Sequence, residues 1–363
     1  MNGAPRVNPW SPLHDPPSPK ATAWSSACRE GRHHAEADGD TIPPRANAGS
    51  PAKADEHMGK PYDGVILIDK EEGRTSFDVV RQVRHFLRIK KVGHAGTLDP
   101  FATGLLIVML GEGTKLSSYL TAGEKTYQAS MRLGVETDTL DLTGEIVKRS
   151  DVPNLGLRLL RQAALEFVGE IEQVPPQFSA VNFNGRRAYF FAREGIRIDL
   201  KKRKVRIRSL EITSVNLPDV GISVACSSGT YIRSLAADLG RRLGPGAHLT
   251  SLRRLKSGTF DVRDALGVKK LESLSKDSVF QGKVIPLYEA LPDMLEIRVD
   301  DLMARKIRNG WQPLWKDVMR CDFPDSFEGY LKLAKGEELV GIGKAESSQG
   351  ERKTSLKIVR VFR

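Results

Sequence analysis

From Val65 onward the chain breaks into short segments whose apolar positions repeat either every second residue or every three to four. "GVILIDK", ending at Lys70, reads as a short β-strand. Ser76 is a predicted N-cap for an amphipathic helix reaching about Arg88, with Phe77, Val80, Val83 and Leu87 on one face and Arg81, Arg84 and Arg88 on the other. A glycine-rich, loop-like stretch, "GHAGTLDPFATG" (93–104), runs into "LLIVML", the most continuous apolar run in the chain, and a short helix is expected from about Thr114 to Leu120. "TYQASMRLG" alternates Tyr127, Ala129, Met131 and Leu133 on one face, which is strand behaviour. A second helix is expected over about 157–168. Beyond Pro175-Pro176, "KVRIRSLEI" alternates again, and "GISVACSSGTYIRSLAADLGRRLG" passes from strand to helix. Strands and helices do not alternate as strict βαβ units. The pattern therefore predicts an α+β fold: a mixed, mostly antiparallel sheet with flanking helices.

A boundary falls near 285–295, where "IPLYEALPDM" carries two prolines. The residues after it hold short β-type runs ("YLKLA", "LVGIGKA", "SLKIVRVF") between glycines and charged turns, so 291–363 is expected to be a small β-barrel appended to a larger domain over 58–290. Residues 1–57 contain 9 of the 20 prolines and 4 of the 7 histidines, with almost no clustered aliphatic residues, and read as a disordered extension. Organised sequence starts abruptly at "MGKPYDGVILIDK", which makes Met58 an alternative start. His33, His34 and His57 read as part of a solvated tail, because no rigid scaffold gathers them.

Charge changes the picture. The net charge is +11, yet residues 1–57 hold 6 Lys+Arg against 7 Asp+Glu, so the remainder, with 50 against 38, carries the whole excess. A basic folded body points to a polyanionic partner. The three cysteines, Cys28, Cys226 and Cys321, form no CxxC and suggest neither a disulfide framework nor a zinc site, as in a reducing cytoplasm. No apolar stretch approaches the roughly 18 residues of a membrane span. "GEGTK" (111–115) is not a phosphate loop, and "ETDTLDLTGE" (136–145) has its glycine at the wrong offset for a calcium loop. No metal and no cofactor is expected.

Three pieces remain that carry chemistry. Asp99 lies in "GTLDP", where Asp-Pro ordinarily initiates a turn. Tyr127 sits on an otherwise apolar strand face. Tyr231 and Arg233 in "GTYIR", two apart on an expected strand, project to one face. An inward arginine requires a carboxylate, and a nucleophilic aspartate requires a cation to hold it ionised, so Arg233 is a candidate partner for Asp99. Two tyrosines suit a planar base.

"GHAGTLDPFATGLLIVMLGEGTKLSSYL", "KTYQASMRLGVETDTLDLTG", "QVPPQFSAVNFNGRRAYFFAREG" and "GTYIRSLAADLGRRLGPGAHLTSLRRLKSG" together resemble the TruB-type bacterial tRNA pseudouridine synthases, from about Tyr62 to Ser257. The C-terminal part resembles that family's PUA-like RNA-binding barrel more weakly. The resemblance implies the pseudouridine synthase fold, and isomerisation of the uridine at position 55 of the tRNA T-loop without metal or redox cofactor. It implies that Asp99 is the nucleophile, that Tyr127 stacks on the target base and is a candidate base for sugar deprotonation, and that Arg233 pairs with Asp99. Substrate-binding roles are implied for His94, which enters the RNA loop, for Tyr231 and Leu252, which line the uracil pocket, and for Lys70 at the site's edge. Lys70 has a role in the fold as an equal alternative. "KKRKVRIR" (201–208), Arg186-Arg187, Arg241-Arg242 and Arg253-Arg254 become candidate phosphate contacts, each with a solvated-face alternative. The expected partner is tRNA through its T-arm, for a monomeric cytoplasmic protein with no membrane contact. Two alternatives are a non-catalytic RNA-binding or tRNA-folding protein on the same scaffold, and the guide-RNA-dependent relative of archaea and eukaryotes.

Overall fold

The computed structural model describes residues 62–318, 327–347 and 354–363. The expected disordered tail and the alternative start at Met58 lie outside the described residues. The chain opens with strand β1 (Gly64–Lys70), helix α1 (Ser76–Leu87), and strands β2 (Val92–Ala95) and β3 (Thr103–Leu110). A 3-10 turn leads to α2 (Ser117–Ala122), then β4 (Lys125–Leu133) and a small hairpin of β5 (Val135–Thr137) and β6 (Ile146–Arg149). Helix α3 (Leu157–Leu165) and β7 (Gly169–Gln173) precede a projecting unit of β8 (Asn182–Phe183), β9 (Arg186–Arg187) and α4 (Ala188–Arg193). Strands β10 (Arg203–Asn216) and β11 (Asp219–Cys226) lead into α5 (Ile232–Leu243) and β12 (Ala247–Ser257). Short elements follow: β13 (Phe260–Asp261), β14 (Leu266–Gly267), α6 (Val268–Glu272), α7 (Lys276–Gly282) and β15 (Val284–Pro286). The last part holds β16 (Leu295–Arg298), α8 (Asp301–Arg308), α9 (Trp315–Val318), β17 (Gly329–Lys335), β18 (Glu338–Ser347) and β19 (Thr354–Val361).

The main sheet runs β14-β1-β3-β12-β4-β11-β10-β7, with β2 paired to β3, β13 to β12 and β15 to β1. It is mixed and mostly antiparallel, as the pattern predicts: among these pairs only β1–β14 and β3–β12 are parallel. Strand β4 alternates strictly, with Tyr127, Ala129, Met131 and Leu133 buried. Strand β3 is buried almost throughout, because layers cover both its faces.

Helix α1 differs from the expectation at its start. Thr75, not Ser76, is the N-cap, forming a capping box with Asp78. The buried set is Ser76, Val79, Val80, Val83 and Leu87, which leaves Phe77 60% exposed. A 3.6-residue period extended back from Val80 reaches residue 76 rather than 77, so Ser76 is turned into the protein. The loop-like reading of 93–104 also changes at both ends. Val92–Ala95 pairs with β3, and Thr103 already belongs to β3, so the true loop is short.

Strand β15 keeps the main sheet continuous to Pro286, and the next sheet begins at Leu295. Among the described residues that second sheet is a four-stranded one, β16-β17-β18-β19, with no pairing that closes it into the expected barrel. Helix α8 buries Ala304 and Ile307 against Leu331, Leu333 and Val340 of this sheet. On its other side Leu339, Ile342 and Phe362 pack with Leu116, Tyr119 and Leu291. No helix among the described residues is long and apolar enough to cross a membrane.

Candidate active site

The loop between β2 and β3 is fixed by apolar anchors and by hydrogen bonds to the chain that follows β1. Leu98, Phe101 and Ala102 are buried, and the intervening Asp99 keeps 34% of its side chain exposed. The Asp99 carbonyl accepts from the Ala102 amide at 3.1 Å, which is the tight turn expected of Asp-Pro. Ser76 Oγ accepts from the Leu98 amide at 2.9 Å and donates to the Leu98 carbonyl at 3.1 Å. The Pro100 carbonyl accepts from the Gly73 amide (2.9 Å) and from Lys70 Nζ (3.1 Å). Lys70 also donates to the carbonyls of Glu71 and Arg74, and the residue is completely buried. Its ammonium has no proton left for an RNA phosphate, which corrects the expected substrate-binding role: Lys70 holds the loop. Burial pulls its pKa down to about 8, although nearby Asp99 supports the charged form.

Arg233 closes the site from the opposite wall. It stands in the first turn of α5, and Tyr231 is the residue that caps that helix. The two are therefore not strand neighbours, because the chain leaves β11 at Cys226 and turns before Tyr231. Gln173 holds that corner, accepting from the Tyr231 amide (2.8 Å) and donating to its carbonyl (3.0 Å). The Arg233 guanidinium meets Asp99 through Nε and Oδ2 at 2.9 Å and through Nη2 and Oδ1 at 3.2 Å. Its remaining donors reach the Phe178 carbonyl (2.9 Å), the Thr139 carbonyl (2.9 Å) and Asp141 Oδ2 (3.2 Å).

Asp141 is a site residue that sequence reasoning missed. It is 3% exposed, and its other oxygen accepts from Thr139 Oγ1, the Thr143 amide and Thr143 Oγ1 at 2.6–2.9 Å. The carboxylates in "ETDTLDLTGE" serve an arginine rather than a cation. The available signal was donor arithmetic, since one half-exposed carboxylate cannot satisfy a buried guanidinium with five N–H groups. Burial pushes the Asp99 carboxyl up, Arg233 opposes this, and the negative charge of Asp141 adds to the rise.

Tyr127 and Leu252 are buried in the same apolar cluster as Leu98 and Phe101, on neighbouring strands β4 and β12. Burial is the main cause that raises the Tyr127 phenol above its ordinary pKa. Tyr231 is half-buried, with the Arg203 guanidinium 5.2 Å from its ring centroid. His94 belongs to β2, opposite Val108, rather than to a loop. Burial first, then the charge of Arg254, lowers its pKa and favours the neutral imidazole. Arg254, expected at the surface, is 1% exposed and cannot be a phosphate contact. Arg253 pairs with Asp69 (2.7 Å), Arg241 with Glu136 (2.9 Å), and Arg242 with Glu166. In "KKRKVRIR", Lys202, Lys204 and Arg208 pair with Glu172, Glu170 and Glu124 across the sheet surface.

An aspartate on a rigid loop, clamped by a buried arginine and bordered by an apolar wall with a tyrosine, has relatives. Residues 84–232 match the model of the TruB family pseudouridylate synthase N-terminal domain. Residues 233–292 match that of the tRNA pseudouridylate synthase B C-terminal domain. A tRNA pseudouridine synthase B of Clostridium kluyveri is 40% identical over 300 residues, covering 83% of this chain and 99% of its own length. The chain belongs to the TruB family. Another tRNA pseudouridine synthase B, from Geobacter sulfurreducens, is 43% identical over 256 residues, or 70% of this chain and 84% of its own. Among solved structures, a Cbf5-Nop10-Gar1 complex matches with TM-score 0.65 and 25% identity, over 86% of this chain and 92% of that one. An H/ACA RNP bound to a substrate RNA containing 2'-deoxyuridine matches with TM-score 0.64, also at 25% identity, over 83% and 86%. These likenesses cover the TruB-type α+β architecture, and residues 84–292 of the family match contain Asp99, Tyr127, Asp141, Arg233 and Arg254.

Proposed function

We propose that this chain isomerises a single uridine of tRNA, at position 55 of the T-loop, to pseudouridine, with Asp99 as nucleophile. The conversion of tRNA uridine to pseudouridine is the activity for which its relatives at about 40% identity are named. Those names favour a tRNA substrate over the guide-RNA-dependent reading. The reaction breaks the N1–C1′ bond, turns the base and forms C5–C1′; the C5 proton leaves and N1 gains one. Asp99 attacks either the base or the ribose. Partial burial makes its ionised oxygen poorly solvated and so more nucleophilic, while Arg233 keeps it ionised and aimed. Tyr127 stacks on the flipped base and accepts a proton from the sugar, with Leu252 and Tyr231 lining the pocket. His94, held neutral, supports the flipped RNA without adding charge to the pocket. Flipping costs on the order of a few kcal/mol, which stacking and pocket contacts return. The four-stranded C-terminal sheet is read as a PUA-like accessory for the RNA, on a cytoplasmic enzyme that acts as a monomer on the T-arm.

The observation that carries this reading is the Arg233 clamp between half-exposed Asp99 and buried Asp141. A non-catalytic RNA-folding protein has no need of a partly desolvated carboxylate held in that way. The test is incubation with an unmodified tRNA transcript followed by pseudouridine mapping, for the native protein and Asp99→Asn. The native protein converts one T-loop uridine; the variant converts none and still binds RNA. Substantial activity in the variant removes Asp99 from the mechanism, and conversion elsewhere in the tRNA overturns the assigned position.

A further inference from the structure

Arg254 is 1% exposed, and no carboxylate pairs with it among the described residues. A buried cation without a counter-ion is costly, several kcal/mol in ordinary cases. Its neighbours make matters worse: Lys70 of β1 and Lys125 of β4 are cations too, and His94 of β2 is pushed toward the neutral form by the same charge. Neutralisation therefore does not explain an arginine here, and its hydrogen bonds do. Nε donates to the Leu105 carbonyl at 2.7 Å and Nη2 to the Gly96 carbonyl at 3.0 Å. Gly96 lies three residues before Asp99 and Leu105 six after it, so one guanidinium ties together the two ends of the loop. Gly96 has φ +88°, and a Cβ there would come within 3.3 Å of Nη1, so the backbone approaches the guanidinium as only glycine permits.

The third neighbour is Tyr127. Arg254 stands opposite Tyr127 in the β12–β4 ladder and opposite Gly104 in the β12–β3 ladder. Cross-strand partners share a face, which sets the guanidinium beside the Tyr127 side chain, where its charge acts on the phenol. The other titratable groups around that phenol are Asp99 on the loop and Cys226 on β11. Arginine suits the place because its charge is permanent and its planar fork can serve several acceptors at once; a lysine ammonium is a point donor that loses its proton when buried.

We propose that Arg254 is a positioning residue that couples the catalytic loop to Tyr127, holding the phenol in register with Asp99 and supporting the negative charge it carries when it acts as a base. This rests on Tyr127 being the proton acceptor. A permanent positive charge beside the phenol favours phenolate over phenol and works against the burial that raises its pKa.

The test is a double-mutant cycle of Arg254→Lys with Tyr127→Phe, read by single-turnover pseudouridine formation across a pH series, with tRNA affinity measured in parallel. In the native background Arg254→Lys lowers the rate about tenfold, a fraction of the 10²–10⁴ that acid–base catalysis supplies, and moves the base-dependent limb to higher pH. In the Tyr127→Phe background the same change costs less than about twofold, because its target is gone. Equal losses in both backgrounds with an unmoved pH profile overturn the proposal and leave Arg254 a fold residue. A native rate in Tyr127→Phe alone overturns the Tyr127 reading and this proposal with it, leaving the assignment of Asp99 intact. Should Arg254→Lys not fold, hydrogen exchange in Tyr127→Phe decides. Loss of the phenol hydroxyl speeds exchange in the peptide spanning 96–99, and unchanged exchange there overturns the coupling.

Discussion

Replacing Ser76 with alanine separates two roles open to a serine at the start of α1. If Ser76 were the N-cap, its loss would cost the helix about 1 kcal/mol and leave catalysis alone. In the structure Thr75 and Asp78 already make the cap, and Ser76 Oγ holds both the amide and the carbonyl of Leu98, the residue before Asp99. Ser76 is 2% exposed and Leu98 3%, so water does not replace the lost hydroxyl. An unsatisfied buried polar group costs about 1–3 kcal/mol, so Ser76→Ala destabilises the protein by about that much. The loop that carries Asp99 loses one of its fixed points. A displacement of about 1 Å at a reacting group costs on the order of 100-fold in rate. The assay is single-turnover conversion of unmodified tRNA at saturating enzyme, alongside chemical denaturation, for Ser76→Ala and Thr75→Ala. Ser76→Ala loses rate at unchanged tRNA affinity; Thr75→Ala loses about 1 kcal/mol of stability and keeps its rate within about twofold. A native rate in Ser76→Ala, or an equal rate loss in Thr75→Ala, refutes the anchoring argument.

Asp141→Asn keeps the size of the side chain but removes its charge and turns one accepting oxygen into a donor, so Arg233 loses one of its two anionic partners. Breaking a buried pair costs about 3–5 kcal/mol, undiminished here because the new amide nitrogen faces a donor, either Arg233 or the Thr143 amide, and the midpoint of urea unfolding measures it. Burial raises the Asp99 carboxyl, so the single-turnover rate falls with decreasing pH at a midpoint above the roughly 3.9 of a free aspartate; an acid limb at or below that value contradicts the assignment. The sign for stability is opposite to that of an ordinary salt-bridged aspartate. A raised folded pKa means that the folded state binds more protons between the two pKa values, so stability falls as pH rises through that window. Asp99→Asn should then be more stable than the native protein at neutral pH, with the gap closing in acid. Binding of tRNA should weaken steeply with salt, as counterion release from phosphates requires, and a flat salt profile excludes the phosphate-contact role of the basic surface.

Much of the fold was legible because local pattern and tertiary placement agree. The β4 alternation, the unbroken apolar run of β3 and the amphipathic α1 each state their burial directly. Prolines interrupt the pattern near 285–295, and the chain passes from one sheet to the next between Pro286 and Leu295. Disagreement set in wherever a residue's partner is distant in sequence. Lys70, Arg253 and Arg254 all look like cations for phosphates, yet Lys70 is capped by three carbonyls, Arg253 pairs with Asp69 and Arg254 is fully enclosed. Charge in a sequence says nothing about which lysines and arginines the fold consumes. Phe77 likewise reads as apolar core in isolation, and only the phase of the whole helix exposes it.

By itself the sequence determined the α+β class and the positive sign of the folded body, because local periodicity and total charge carry that information; it was the resemblance to a family that singled out Asp99 and Arg233, which the structure pairs. The tertiary structure decided that Arg233 lies between two carboxylates, that Ser76 anchors the loop carrying Asp99 instead of capping the helix, and that Arg254 is buried and bonded to both ends of that loop. Each depends on contacts made across 22 to 158 residues of chain. Such contacts exist only once burial has excluded water and left every polar group to find its partner inside.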